Sequence, residues 1–493
     1  MGSEIDETLL HSDLSGLEKL SNFTFESKML FSQKFSSKLM NGSEVDLQIA
    51  FNENIMPWEI EIFTAYSVIY NRDYVTMELD LVSFSEIITY IRNYWDKAWG
   101  DLERSGQYAE AFIMRNTIQQ FPLQGVFLQK LFRYNYFFTF FNDKLDMNKL
   151  FINKFGAEYK EFDITAFIIF LVFSNETKME ADQKQILLTK AFQNKSVFSS
   201  LCIEKEEFTN EIKKLYKSDI IDLFYGLKAQ YWWPFISGKD FTYIPSPYLI
   251  INAVTDSMLN RLTLNDQSLR NLIGKEILEN YFYTIYKAVN SVTWISPEIE
   301  YYIGNQQYKT SDVLVVENEY CTFYDTKEMV PSLKIRKLDT EEIEKDIKIY
   351  AEAILQIYQQ IKNYLSGHFE LDKKYKKEKL FGVAVMLEGI ALSHEKIYTK
   401  AFELYVAKNG KLDIEEQNFI HSHIKIVSLA DIERLVLENN SFLPSLLNQE
   451  KNKMFWNDLC FANSYEQKGL IPIYEDYVSN LKGRYADVIK SSF

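Results

Sequence analysis

Between residues 298 and 327 the periodicity of an otherwise helical sequence changes, and charged residues enter apolar runs. Glu298–Ile303 (EIEYYI), Ser311–Val316 (SDVLVV) and Tyr320–Lys327 (YCTFYDTK) are rich in β-branched and aromatic residues. Polar turns such as Glu317-Asn318-Glu319 bound them, which reads as a three-strand meander. Val313, Leu314, Val315, Val316 and Phe323 imply burial on both faces. Charges are rarely placed in such strands without partners. Asp312, Asp325 and Lys327 therefore need an explanation that a solvated strand face does not provide.

The text around the meander is helical. Only 17 glycines and 9 prolines interrupt 493 residues, so long helices are expected. Phe84–Trp99, Tyr108–Gln120 and Lys184–Phe192 repeat apolar residues at spacings of three and four. Phe127–Phe141 is dense in aromatics and reads as internal, and Phe162–Phe173 reads as a buried helix too short to span a membrane. At 231–248 a Pro- and Gly-containing connector, including Trp232 and Trp233, marks a boundary near 240. Beyond it come helices at about 247–262 and 267–290, then the meander. Next are a long helix at Thr340–Leu365 with Thr340 as its N-cap, a buried strand at Leu380–Leu387, strands at Ala401–Val406 and His423–Val427, and a helix at Asp431–Glu438. The expected organisation is a large α-helical region over 1–240, an α/β domain with a mixed central sheet over 245–440, and a helical tail over 441–493.

The formal net charge of -15 argues against coating nucleic acid by charge alone, though a local basic patch can sit on an acidic body. Cys202, Cys321 and Cys460 are far apart and form no CxxC pair, so neither a zinc site nor a disulfide framework is supported. With a polar, acidic N-terminus, a cytoplasmic protein without a membrane span is expected. No Walker loop, GxSxG elbow or GxGxxG is present.

On a strand, residues two apart share a face, so Asp325 and Lys327 project together. A tight meander brings Asp312 beside them. Two adjacent carboxylates repel and favour a cation between them, and hard oxygen donors select Mg²⁺ or Mn²⁺. The lysine is then placed to orient an attacking water.

Ser311-Asp312, twelve residues, then Asp325-Thr326-Lys327 resembles the signature of the PD-(D/E)XK nuclease superfamily, with Ser-Asp where the name has Pro-Asp. The resemblance covers about 245–440. It implies a restriction-endonuclease-like α/β fold and metal-dependent hydrolysis of phosphodiesters, of DNA ahead of RNA. It implies metal ligation by Asp312 and Asp325, with the Thr326 carbonyl as a further ligand. The preceding helix often carries a glutamate in that superfamily. In Gly274–Phe282 (GKEILENYF) that role falls to Glu279, with Glu276 as the alternative three residues away. Gln360 and Tyr364 match a Gln-x-x-x-Tyr pattern of some branches and, with Lys334, Arg336 and Lys337, are candidate nucleic-acid contacts. Lys373, Lys374, Lys376 and Lys377 form a second basic group. His421 and His423 would face one way on a strand, but no third ligand has matching spacing, so they read as a polar strand start. The company such domains keep suggests defence against foreign DNA, with residues 1–240 sensing a trigger, recruiting a protein partner or forming a homo-oligomer. The rival readings are an inactive scaffold or DNA-binding protein, and an RNA-cleaving nuclease.

Overall fold

The computed structural model describes residues 14–41, 44–45, 47–72, 74–104, 126–174, 179–215, 229–238, 241–264, 266–328, 340–388, 394–447 and 468–490. The chain divides into two compact units: residues 1–123, 148–262 and 481–493 form one, and residues 124–147 and 263–480 the other. The break lies at Leu262/Thr263, downstream of the connector at 240, and the second unit takes residues 124–147 from the helical half.

The first unit is dominated by helices. Leu81–Arg104 and Ala181–Ala191 contain two of the expected helical stretches, while 108–120 lies outside the described residues. The apolar run at 162–173 falls in the helix Tyr159–Ser174 and is buried almost throughout. Its one acidic interior residue, Asp163, is 0% exposed and receives both guanidinium nitrogens of Arg484 at 2.8 and 3.0 Å. The connector contributes strands that its Pro and Gly content does not suggest: Phe235–Ser237 pairs with Cys202–Glu204 and with Thr242–Tyr243. The helix expected at 247–262 is three short pieces, Pro247–Leu249, Ile250–Val254 and Asp256–Leu262, broken where Thr255 leaves helical geometry (ψ -100°). Among the described residues no helix is long and apolar enough to cross a membrane.

In the second unit, α1 (Phe127–Thr139) precedes α2 (Gln267–Ile273), which runs through a π-turn at Gly274–Leu278 into α3 (Glu279–Lys287). Then come β1 (Val292–Pro297), the hairpin β2 (Glu300–Ile303) and β3 (Gln306–Lys309), β4 (Val313–Glu317) and β5 (Tyr320–Lys327). They are followed by α4 (Thr340–Leu365), β6 (Leu380–Met386), α5 (His394–Asn409), α6 (Ile414–His423), β7 (Ile424–Ser428) and α7 (Leu429–Val436). The five-stranded sheet has the order β7-β6-β5-β4-β1. β1, β4 and β5 are antiparallel neighbours, while β5, β6 and β7 run parallel, so the sheet is mixed. Parallel neighbours need a crossover, and α4 supplies it between β5 and β6.

The expected strands at 311–316, 320–327 and 380–387 are present within a residue or two. Three expectations are corrected. The first strand of the sheet is β1, and Glu300–Ile303 belongs to a separate two-stranded hairpin. As an edge strand β1 is half-exposed along most of its length, which erases the alternation that would have marked it. Residues 401–406 lie inside α5, whose buried Ile397, Tyr398, Ala401 and Tyr405 follow helical spacing. His421 and His423 end α6 rather than start a strand; His423 lies between the rings of Phe381 and Phe419, at 5.0 and 4.5 Å. In the expected tail, Leu443–Leu447 and Pro472–Lys490 are helical and 448–467 lies outside the described residues.

A helix covers each face of the sheet. On one, Tyr286 and Phe282 of α3 pack on Tyr324, with the two tyrosine hydroxyls 2.8 Å apart. On the other, α4 buries Ile347, Tyr350, Ala351, Ile354, Ile357, Tyr358 and Ile361, a continuous stripe at helical spacing. Gly382 allows α4 to approach β6: a Cβ there would lie 2.3 Å from Ile357 Cγ2.

Candidate active site

β4 and β5 are joined by a two-residue turn, with Asn318 in the left-handed region at φ 56°. Their ladder runs from Tyr320↔Glu317 to Tyr324↔Val313. Beyond it the partner strand has ended, and the Asp312 side chain takes over. Thr326 donates its backbone N–H to Asp312 Oδ2 at 2.6 Å and its hydroxyl to the same oxygen at 2.9 Å. Asp312 is thereby fixed at the mouth of β5 before any ligand is considered.

Asp325 and Lys327, two apart on β5, share a face, and Lys327 Nζ lies 2.5 Å from Asp325 Oδ2. Asp325 is 1% exposed, and Oδ2 has no aligned hydrogen-bond donor beyond this ion pair. Gln356 of α4 spans the pair. Its Nε2 donates to Asp325 Oδ1 at 3.4 Å, and its Oε1 accepts from Lys327 Nζ at 3.3 Å. Sequence reasoning missed Gln356. It lies one turn before Gln360 on the same helical face, and a polar residue there is the signal that would have found it.

Glu279 and Glu276 face different surroundings. Glu276 accepts hydrogen bonds from Asn142 at 2.9 Å and Lys144 at 2.7 Å, and the Lys144 bond holds its carboxyl below the usual range. Glu279 is half-buried and senses Asp312, Glu298 and Asp325; burial first, then the Asp312 charge, pushes its carboxyl up to about 8. Burial and the Asp325 charge raise Asp312 to about 7, against the pull of the Thr326 N–H. Asp325 is also raised, by burial, against the opposing charge of Lys327. Burial and mutual repulsion thus outweigh the pull of Lys327 on the aspartates and of Lys275 on Glu279, and a cation set among such carboxylates would relieve that repulsion. Among the described residues no group of three His, Cys, Asp or Glu side chains lies close enough together to hold a metal ion. The converged pair is Asp312 and Asp325, with Glu279 in electrostatic reach. Two carboxylates completed by water and phosphate oxygens are a normal donor set for Mg²⁺.

The other singled-out residues lie elsewhere. Gln360 is buried and accepts a hydrogen bond from the Ser311 hydroxyl, next to Asp312. Tyr364 is buried too; its hydroxyl accepts from the Tyr375 N–H at 2.7 Å and donates to the Lys373 carbonyl at 3.2 Å. Both are engaged with the protein rather than displayed to a ligand. Lys334, Arg336 and Lys337 lie outside the described residues. The basic loop at 373–379 leads into β6 at Leu380, opposite Cys321, whereas Lys327 pairs with Met386. It is thus six strand residues, roughly 20 Å, from the carboxylates. Trp232 and Trp233, in the first unit, pack edge to face at 5.6 Å. Cys202 and Cys321 are free thiols, and Cys460 lies outside the described residues. Compared with known proteins, the chain matches no family model, no curated protein and no solved structure.

Proposed function

We propose that the second unit is a metal-dependent nuclease of the PD-(D/E)XK type that hydrolyses phosphodiester bonds, of DNA ahead of RNA. The observation that carries this reading is the ion pair of buried Asp325 with half-buried Lys327, set beside Asp312 at the end of a strand ladder. The order helix, three antiparallel strands, crossover helix, parallel strand supports it as well. In this reading Asp312 and Asp325 hold Mg²⁺ or Mn²⁺, with Glu279 and the Thr326 carbonyl as supporting donors. When bound, such an ion acidifies a water and neutralises charge on the phosphate. Lys327 donates a hydrogen bond to the incoming water, and Gln356 keeps the ammonium in place. DNA as substrate rests on the resemblance alone. So does a role in defence against foreign DNA, with the helical unit as sensor, partner-binding surface or self-association surface.

The test is cleavage of plasmid, linear and single-stranded DNA and of RNA with Mg²⁺ or Mn²⁺, wild type beside Lys327→Ala. Metal-dependent cutting that is lost in a folded, metal-binding variant supports the assignment and identifies the substrate. A second reading, a nuclease-fold scaffold that does not cut, is favoured by the absence of a third converged ligand among the described residues. Calorimetric titration with Mn²⁺ separates the two: binding by wild type that is lost in Asp312→Ala and Asp325→Ala supports the metal site, and no binding by wild type leaves the scaffold.

A further inference from the structure

The segment 124–147 comes from the helical half of the sequence but packs in the second unit. It packs on Glu433, Tyr474 and Tyr477 and also on the helix that carries Glu279. Tyr136 donates its hydroxyl to Asn280 Oδ1 at 2.5 Å and lies 3.3 Å from the Thr284 hydroxyl. Asn142 and Lys144 take both oxygens of Glu276. Phe132, Tyr136 and Phe137 surround the Tyr281 ring at 5.2–5.9 Å. The Tyr281 hydroxyl donates to Glu433 at 2.6 Å, and Glu433 holds Arg133 of the same segment at 2.8 and 2.5 Å. The grip thus falls at positions 276, 280, 281 and 284, on both sides of Glu279 in sequence.

The helix is also irregular at this point. The π-turn at Gly274–Leu278 ends immediately before Glu279, and such turns re-aim the side chains that follow them. Glu276 and Glu279, three apart, would point in similar directions on an uninterrupted helix. Here Glu276 is drawn to Lys144 and Glu279 is left to face the aspartates.

We infer that segment 124–147 is a positioning element of the candidate active site: by holding Glu276 and Asn280 it fixes the rotation of α3 that presents Glu279, and no other acidic residue of that helix, to Asp312. This rests on the nuclease reading and extends it, because it makes a piece of the N-terminal half indispensable to the site. Lys144 and Asn142 hold Glu276, the alternative to Glu279, and act on Glu279 through it and the helix.

The experiment uses the full chain and compares wild type, Asn142→Ala/Lys144→Ala, Tyr136→Phe and Lys144→Arg. Two quantities are read: amide hydrogen exchange across 274–287 in metal-free protein, and Mn²⁺ affinity by calorimetry, alongside the substrate KM. The double variant is expected to exchange faster in 274–287 and to bind Mn²⁺ about tenfold more weakly, as losses of outer supporting contacts do. Tyr136→Phe should show the same trend, substrate KM should be unchanged, and Lys144→Arg should behave as wild type. Faster exchange with unaltered Mn²⁺ affinity overturns the inference, since the grip is then only structural; so does unaltered exchange. Wild type that binds no Mn²⁺ and cuts nothing defeats the nuclease reading, and this inference with it. Wild type that binds Mn²⁺ while the variants match it defeats the inference alone.

Discussion

Replacing Asp312 by asparagine should stabilise the metal-free protein at alkaline pH and progressively less as the pH falls. The side-chain carbonyl of the asparagine would still accept the Thr326 N–H and hydroxyl that Asp312 Oδ2 accepts now, so the strand end keeps its hydrogen bonds. What is lost is a negative charge beside the buried Asp325. A carboxyl whose pKa is higher in the folded than in the unfolded chain binds its proton more tightly when folded. Its contribution is full below the unfolded value near 3.8 and is lost as the pH rises through about 7. At ~1.4 kcal/mol per pH unit, that interval sets a ceiling of about 4 kcal/mol. Asp312 is half-buried, and solvent screening reduces this to roughly 2 kcal/mol. For a unit of this size that corresponds to a melting shift of roughly 4–8 °C. The assay is thermal unfolding in EDTA at pH 5 and pH 8. Wild type should lose stability between the two and recover it at pH 8 with Mg²⁺. Asp312→Asn should melt higher than wild type at pH 8 in EDTA, by roughly a third of that margin at pH 5, and show no response to Mg²⁺. An asparagine variant that melts at or below wild type at pH 8 in EDTA would refute the view that crowded carboxylates strain this site.

Other perturbations test the frame around the site. Gly382→Ala places a methyl 2.3 Å from Ile357 Cγ2 and should destabilise by roughly 1–3 kcal/mol through overpacking, read as a lower denaturation midpoint; an unchanged midpoint would mean that α4 shifts freely. Arg133→Ala leaves Glu433, itself 1% exposed, without its ionic partner and should cost about 3–5 kcal/mol by chemical denaturation, against little for the exposed Lys348→Ala. Gln356→Ala, which removes the contacts to both Asp325 and Lys327, should weaken Mn²⁺ binding and lower the maximal cleavage rate, each about tenfold. Wild-type values of both would show that the bridge from α4 is irrelevant.

The elements that position the candidate site were legible because their signals are local. Val313–Val316 and Phe323 announce buried strands, and the spacing of Asp325 and Lys327 follows from the pleat. The crossover helix reads from its own stripe. What escaped depends on tertiary placement. β1 is an edge strand with little alternation, and α5 contains a β-branched and aromatic run that helix packing overrides. The choice between Glu279 and Glu276 turns on Asn142 and Lys144, more than 130 residues earlier in the sequence. No local pattern links residues so far apart. In sequence Gln356 is one more polar position of an amphipathic helix, and only the sheet beneath α4 gives it Asp325 and Lys327 as partners.

The substitution of a side chain for a main-chain carbonyl at the end of the β4–β5 ladder ties chemistry to strand alignment. With a two-residue turn at Asn318 and Glu319, the ladder sets Asp312, five residues before Glu317, one step short of Thr326, six residues after Tyr320, and so within reach of its N–H. One added residue in that turn would offset the count and turn Asp325 and Lys327 together to the face away from Asp312. A chain that has closed its hairpin in the wrong register would thus fold, if it folded at all, without its acidic cluster. The same alignment that completes the sheet assembles that cluster, so under the proposed function a misassembled copy would be inert rather than indiscriminate.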